Sequence, residues 1–358
     1  MRALAAVFHG KPFEHQLMSI DVPSVQAGEA LVRVLGATIC GSDRHSYEGR
    51  RQVATPTILG HEIVGEIVEL GDSVTPVDLA GAAIGIGDRV TWSIVAHCEH
   101  CFFCDRDLPQ KCERGVKYGH EAMRAGYELS GGFAEYCVLA AGTSIMRLPA
   151  DMPLEVACPA NCATATSAAA VEAAGEVAGQ TVVILGAGLI GLTTAAMVRR
   201  SGASGVIVVD PDQHRRGLAE SFGATQAVSP DDLVGVADRT RHGIDCLIEA
   251  SGAGVAFTGA FPLVRVGGTV VLVGSVSPGA DVPVALERIV RRNLKIQGIH
   301  NYAPRHLRSA VEFLDQAHRD YPFAGLVSDW LEIGEIDQAF RLAGDPRKVR
   351  VGVRGCGG

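Results

Sequence analysis

Two groups of residues could hold a metal. Cys98, Cys101, Cys104 and Cys112 follow one another as C-x2-C-x2-C-x7-C. Two-residue spacing lets neighbouring thiolates converge on one ion, and a fourth thiolate from a short loop closes a tetrahedron, as in structural zinc sites. Iron–sulfur clusters use similar spacing, and a redox thiol pair is a third reading. His97 and His100 lie among the cysteines, but four sulfurs already fill the sphere. The second group is looser: Cys40-Gly41-Ser42-Asp43-Arg44-His45 precedes Gly60-His61-Glu62. Cys and His both ligate zinc, yet a lone Cys is usually a small buried hydrophobe and a lone His hydrogen-bonded structure, so ligand type alone only suggests a second site.

A third stretch could bind a dinucleotide. Thr181 to Leu185 is a short apolar run, followed by Gly186, Gly188 and Gly191 in G-x-G-x-x-G spacing, then an Ala-rich segment to Arg200 and a second apolar run, Val206 to Val209, closing on Asp210. The pattern reads strand, tight turn, helix, strand, acid. Gly186 allows the turn, Gly188 lets a pyrophosphate approach the backbone, and Gly191 lets helix and strand pack closely. Leu189 and Ile190 open the helix, whose free N–H groups face the phosphates. Asp210 suits the adenosine ribose hydroxyls and repels a 2′-phosphate, which favours NAD over NADP. The apolar run is nearly long enough for a membrane helix, but the glycine spacing and the closing acid favour the nucleotide.

The elements that must position these groups are of two kinds. Residues 1 to about 155 show short β-rich runs (2–8, 30–35, 63–70, 89–93 and 133–139) punctuated by Gly, Pro and Asp, which predicts an irregular antiparallel barrel. The segment 154–175 reads as one linking helix. Beyond Asp210, a helix over 212–221 and strands over 244–249, 268–273 and 294–298 predict a doubly wound parallel sheet, so the fold class is α/β. Helices over 310–318 and 336–343 and a strand over 348–353 form a tail expected to rejoin the first domain. The expected boundaries are 1–157, with the four-cysteine lobe at 98–112, then 158–299 and 300–358.

Apolar residues are 47% of the chain, and Lys+Arg is 32 against Asp+Glu 40, a mildly acidic balance that argues against nucleic-acid or membrane-surface partners. The amino terminus lacks the apolar core of a signal peptide, which predicts a cytoplasmic protein whose ten cysteines are thiols or metal ligands.

The order of Cys40 in C-G-S-D-x-H, His61-Glu62 in G-H-E, the four-cysteine lobe, Gly131-Gly132-Phe133-Ala134-Glu135-Tyr136 and the glycines at 186–191 resembles the zinc-containing alcohol dehydrogenases of the medium-chain dehydrogenase/reductase superfamily. The resemblance runs over essentially the whole chain. It implies a GroES-like catalytic domain, a Rossmann domain, and an active site in the cleft between them. It also implies two zinc ions per chain, NAD, and a homodimer or homotetramer. Cys40 and His61 match the first two catalytic zinc ligands; the third falls at Cys162, with Cys158 as competitor. Glu62 matches a residue able to approach the zinc, and Asp43 the acid that orients the ligand histidine. Ser42 matches the hydroxyl that bonds the substrate oxygen, His45 the outer end of a proton relay, and Thr166 a nicotinamide contact; Gly274 joins the cofactor set. The sequence departs from some relatives at Gly41, where they carry a basic residue, and at 77–87, which is longer than the usual turn.

The reaction implied is hydride transfer between an alcohol, or its aldehyde or ketone, and NAD. The stretch Asn161 to Ala170 also resembles a subgroup associated with phosphonate metabolism, which implies a phosphonate-bearing substrate. Tyr47, Arg50, Arg51, Lys117, His120, Tyr127 and the region of His300 are candidate pocket residues. Rival readings are a polyol or amino-alcohol dehydrogenase, a non-catalytic cofactor-binding scaffold, and a redox sensor using the clustered thiols.

Overall fold

A computed structural model of the chain describes residues 1–72, 77–237, 240, 242–277 and 279–355. Contacts divide it into two compact units, Met1–Cys162 with Ala303–Gly358, and Ala163–Tyr302. The chain leaves the first unit after Cys162 rather than after 157, because Cys158–Asn161 packs on the strands of that unit. It returns at Ala303 rather than at 300.

The first unit is built on a seven-stranded sheet. Its central strand, Ala30–Thr38, pairs with Glu62–Leu70, Tyr136–Leu139 and the late strand Arg350–Arg354. The tail thus supplies a strand to the sheet that carries the first metal-type residues. A smaller sheet joins Arg2–Phe8 to Gln16–Asp21 and Thr57–Ile58. One apolar core, including Val7, Phe8, Ile58, Ile63, Trp92, Phe133 and Val353, fills the unit.

Two sequence expectations change here. The segment 154–175 is not one helix: a turn at Leu154–Ala157 runs into the tighter Cys158–Asn161, the backbone breaks at Cys162 (φ −132°, ψ −81°), and a new helix runs Ala163–Ala174. Pro159 removes a helix donor and disfavours continuation. The long 77–87 turn is organised by one buried acid, Asp78, whose Oδ1 accepts the N–H groups of Ala80 and Ala82 at 2.9 Å and whose Oδ2 accepts that of Arg147 at 3.1 Å.

The second unit is a six-stranded parallel sheet ordered Gln226–Val228, Gly205–Val209, Thr181–Leu185, Ile244–Glu249, Val264–Leu272, Lys295–Gly298. The order reverses between Thr181–Leu185 and Ile244–Glu249. In open α/β sheets that reversal is where ligands bind, outside the carboxyl ends of the strands. Of the two inner strands, Thr181–Leu185 is apolar after its first residue, as burial on two faces requires, while Ile244–Glu249 carries two acids, Asp245 and Glu249. Among the described residues no helix is long and apolar enough to cross a membrane.

One wedge fixes the late strand. The Trp330 indole lies against two glycines: a Cβ at Gly352 would overlap the ring, and one at Gly36 would come 2.9 Å from Cζ3. Gly352→Ala should therefore destabilise the first unit by about 1–3 kcal/mol, the usual cost of overpacking. The measurement is its urea transition, expected earlier in the variant; an unmoved transition would show that the indole yields freely.

Candidate metal centre and glycine turn

Cys40 stands where the central strand of the first unit ends, as the N-cap of the helix Gly41–Tyr47. Asp43, in the first turn of that helix, accepts the Cys40 backbone N–H through Oδ2 at 3.0 Å. Its Oδ1 takes the Gly60 N–H at 3.4 Å and His61 Nδ1–H at 3.1 Å. One buried carboxylate thus ties the helix start to the histidine and turns the Nε2 lone pair outward. Cys162 is brought in by its neighbour. Asn161 is buried and donates through Nδ2 to the carbonyls of His61 and Trp92, both at 2.9 Å, while its Oδ1 accepts the Ile63 N–H at 3.3 Å. This clamp, together with the backbone break, presents Cys162 to His61.

The ligand atoms of Cys40, His61 and Cys162 all lie within 4.8 Å of one another. The two sulfurs are 3.9 Å apart. A tetrahedral site with Zn–S bonds of about 2.3 Å has an S···S edge of roughly 3.8 Å, so the donor set fits zinc in type and spacing. Cys158, the competitor, is fully buried, and burial pushes its thiol well up. The Cys40 thiol is pushed well down by the hydrogen bond from Cys162, despite burial and with help from Arg350 and His61; Cys162 keeps the shared proton and is raised. Burial lowers His61, but Asp43 and the Cys40 thiolate outweigh it and lift the imidazole to about 10. A pocket that so stabilises positive charge at His61 Nε2 suits a cation there. Ser42 Oγ stands 3.5 Å from that nitrogen, and His45 follows one helical turn later. Burial and the Arg50 charge lower His45, favouring its neutral, proton-accepting form.

Glu62 departs from the sequence reading. It is fully buried, but it does not converge with the three ligands. Arg350, from the late strand, pairs with both its oxygens at 2.9 and 3.0 Å, and the Thr38 hydroxyl donates to Oε2 at 2.6 Å. Arg350 Nη2 also stands 3.8 Å from Cys40 Sγ.

In the lobe, Cys98, Cys101, Cys104 and Cys112 converge as a set. Cys101 Sγ is 3.5 Å from Cys104 Sγ and 3.9 Å from Cys112 Sγ, again near a zinc tetrahedron's edge. His97 and His100 stay outside the set; the His100 ring bonds to Arg114 at 3.1 Å.

In the second unit Gly186 has φ +98°, which only glycine adopts freely, and a Cβ at Gly191 would overlap the Gly186 carbonyl oxygen. Gly188 is the N-cap of the helix Leu189–Arg200, so the N–H groups of Leu189, Ile190 and Gly191 head the helix free of intrahelical partners. Asp210 is buried at the end of the neighbouring strand; Oδ2 accepts the Ala187 N–H at 2.8 Å and Oδ1 that of Asp212 at 2.9 Å. Gly274 approaches the backbone of Gly252 too closely for any side chain. Thr166 is half-buried on the helix Ala163–Ala174.

Comparison with known proteins agrees with this geometry. Residues 26–150 match the alcohol dehydrogenase GroES-like domain, and residues 190–316 match the zinc-binding dehydrogenase family. The chain is 34% identical over 283 residues to L-threonine 3-dehydrogenase of Pyrococcus furiosus, covering 76% of each chain. It is 30% identical to 5-exo-hydroxycamphor dehydrogenase of Pseudomonas putida, over 88% of each. The chain belongs to the zinc-containing alcohol dehydrogenases of the medium-chain superfamily. Among solved structures, an alcohol dehydrogenase of Thermotoga maritima superposes with a TM-score of 0.92 at 28% identity over 99% of each chain. A zinc-binding dehydrogenase of Sinorhizobium meliloti bound to NADP does so with 0.86 at 27%, also over 99% of each.

In this family member the candidate pocket residues separate. Tyr47 packs on Phe8, His15 and Phe340, and Tyr127 donates to Glu29 at 2.6 Å. Arg50 pairs with Glu48. Arg51, Lys117 and His120 instead gather beside His61. Sequence reasoning missed Asn161 as a clamp and Arg350 altogether; Asn161 adjoins Cys162, but nothing in the spacing marks Arg350, which lies 288 residues from its partner Glu62.

Two outcomes are expected. Asp43→Asn should weaken zinc retention 10–100-fold, read by competition with a chelator, as loss of a ligand-orienting carboxylate does. Arg350→Met should destabilise by about 3–5 kcal/mol by leaving Glu62 charged and alone, and adding Glu62→Gln should recover much of it. Denaturation of the single and double variants checks this; no recovery in the double variant would contradict the pairing.

Proposed function

We propose that the protein is a zinc-dependent, NAD-linked dehydrogenase that interconverts a small alcohol and its aldehyde or ketone. The observation that carries this reading is the convergence of Cys40, His61 and Cys162 with the Ser42 hydroxyl beside them. Cys40, His61 and Cys162 would hold a catalytic zinc with one position left open, and the four-cysteine lobe a closed, structural one. A zinc held there would supply Lewis-acid polarisation of the alcohol oxygen, and NAD would supply the hydride acceptor. Asp43 fixes the His61 tautomer. Ser42 would take the hydroxyl proton as its own proton leaves, and neutral His45 would be the group that passes a proton on to solvent. The turn at Gly186–Gly191 would hold the pyrophosphate, Asp210 the adenosine ribose and Thr166 the nicotinamide, with Gly274 completing the cofactor set.

NAD is favoured because Asp210 places a buried negative charge against the glycine turn, where a 2′-phosphate would be repelled. The open edge strand Lys295–Gly298, with exposed Leu286, Val290 and Ile296 nearby, supports a homodimer or homotetramer. A cytoplasmic location fits the clustered thiolates. An amino-alcohol dehydrogenase is the second reading, favoured by the threonine dehydrogenase relatives.

Elemental analysis should find two zinc ions per chain; one, with no NAD-linked turnover across primary, secondary, polyol, amino and phosphonate alcohols, would indicate a non-catalytic scaffold. Ser42→Ala should lower kcat by roughly 10²–10⁴-fold with zinc retained, the range for loss of a proton-transfer group. Asp210→Asn should raise the NADP-over-NAD ratio of kcat/KM by roughly tenfold or more, since like charges face to face cost several kcal/mol.

A further inference from the structure

Beside the metal centre lies a group of cations that the reaction itself does not require. The His120 ring packs on the His61 ring with centroids 4.9 Å apart. Its Nδ1–H donates to the Tyr118 carbonyl at 2.8 Å, so Nε2 is the acceptor that receives an N–H from Arg51 Nη1, also at 2.8 Å. Lys117 is half-buried in the short strand Val116–Lys117, and its carbonyl accepts the His120 N–H at 3.1 Å, which ties its segment to the same histidine.

Among the described residues neither Arg51 nor Lys117 makes an ion pair, whereas Arg44 and Arg50, in the same segment, both pair with Glu48. Glu121 is the nearest acid in play, but its Oε1 accepts the Lys117 backbone N–H at 3.0 Å. Burial, then repulsion from Arg51, with Lys111 adding to it, lowers Lys117 to about 8. Two half-buried cations on neighbouring segments, neither in an ion pair among the described residues, are an arrangement that a bound anion would relieve. Arg51 spends one of its five N–H donors on His120 and keeps a fork suited to a planar or tetrahedral oxyanion.

We infer that Arg51 and Lys117, with Arg51 aimed by His120, form an anion-binding subsite next to the catalytic metal, and that the substrate is a short alcohol bearing an oxyanion group a few bonds from the reacting carbon. This rests on the dehydrogenase reading above. Phosphonate, phosphate ester and carboxylate share the required chemistry. An ammonium group at the same place would be repelled, so an amino alcohol that lacks a carboxylate fits this subsite worse than its anionic counterpart.

The test uses the zinc-loaded full-length enzyme with NAD. It compares kcat/KM for 2-hydroxyethylphosphonate, ethanolamine phosphate's hydroxyl analogue glycol phosphate, 3-hydroxypropionate, and neutral 1-propanol. At least one anionic substrate should exceed 1-propanol by about 100-fold, and that ratio should fall roughly 10–100-fold in Arg51→Gln and Lys117→Gln but less in Lys117→Arg, as expected for losing a charge-assisted hydrogen bond. Which anion leads identifies the group. Calorimetric binding of methylphosphonate supplies a readout independent of turnover, and it should weaken by a similar factor in both glutamine variants. Turnover of 1-propanol equal to every anion, with methylphosphonate binding unaltered by the variants, overturns the subsite while leaving the dehydrogenase intact. Absence of zinc and of all turnover would instead count against the dehydrogenase, and methylphosphonate binding would still decide the subsite.

Discussion

The structure of the first unit depends on putting negative sulfur into a buried place. Cys40 and Cys162 face each other at 3.9 Å, with His61 and Glu62 also buried. Ionised groups out of water are costly unless each is paired and hydrogen-bonded. Every group of the centre answers that requirement through a residue from another part of the chain. Arg350 neutralises Glu62 and leans toward Cys40, Asp43 takes the His61 N–H, and Thr38 completes the Glu62 carboxylate. The return of the late strand to the first sheet is what brings a guanidinium to Glu62.

The same requirement explains the local backbone. A continuous helix from Leu154 would keep Cys162 in the helical row of its neighbours. The turn containing Pro159 and the break at Cys162 release it, and Asn161 uses its amide on carbonyl and N–H groups of two strands. Asp43 acts likewise at the other side, closing a helix start and a histidine with one carboxylate. Ligand position is thus set by short-range backbone bonds, which are stiff. Rigid support of this kind keeps a first shell within the narrow tolerance that metal sites need.

Much of this was legible in the sequence because the chemistry there is local. The cysteine lobe and the glycine turn are fixed-spacing motifs whose geometry follows from a few residues of chain. The parallel sheet was legible from apolar runs alternating with helical ones. Cys40, His61 and Cys162 could be grouped only through resemblance, since the separation between them carries no geometric signal. Arg350, Asn161 and the 77–87 turn lay beyond reach for related reasons. An arginine in a late strand reads as surface, an asparagine inside an expected helix over 154–175 carries no mark of a clamp, and Asp78 shows its role only once Arg147 lies next to it in space. Glu62 was assigned toward the metal through resemblance, whereas in the fold it bonds to Thr38 and Arg350.

Charge arithmetic gives the centre its last constraint. A divalent zinc held by two thiolates would be neutral as a set, and Arg350 with Glu62 is neutral as a pair. Asp43 keeps a negative charge, but three N–H donors already solvate it. Arg51 and Lys117 are then in excess, in a chain whose net charge is −8. A protein acidic overall that places two partly desolvated cations beside a neutral metal set concentrates a positive potential at one spot, and low-dielectric walls focus it further. Such a field does nothing for a neutral alcohol in the ground state. On the proposed reading it would steer and orient a substrate that carries its own negative charge.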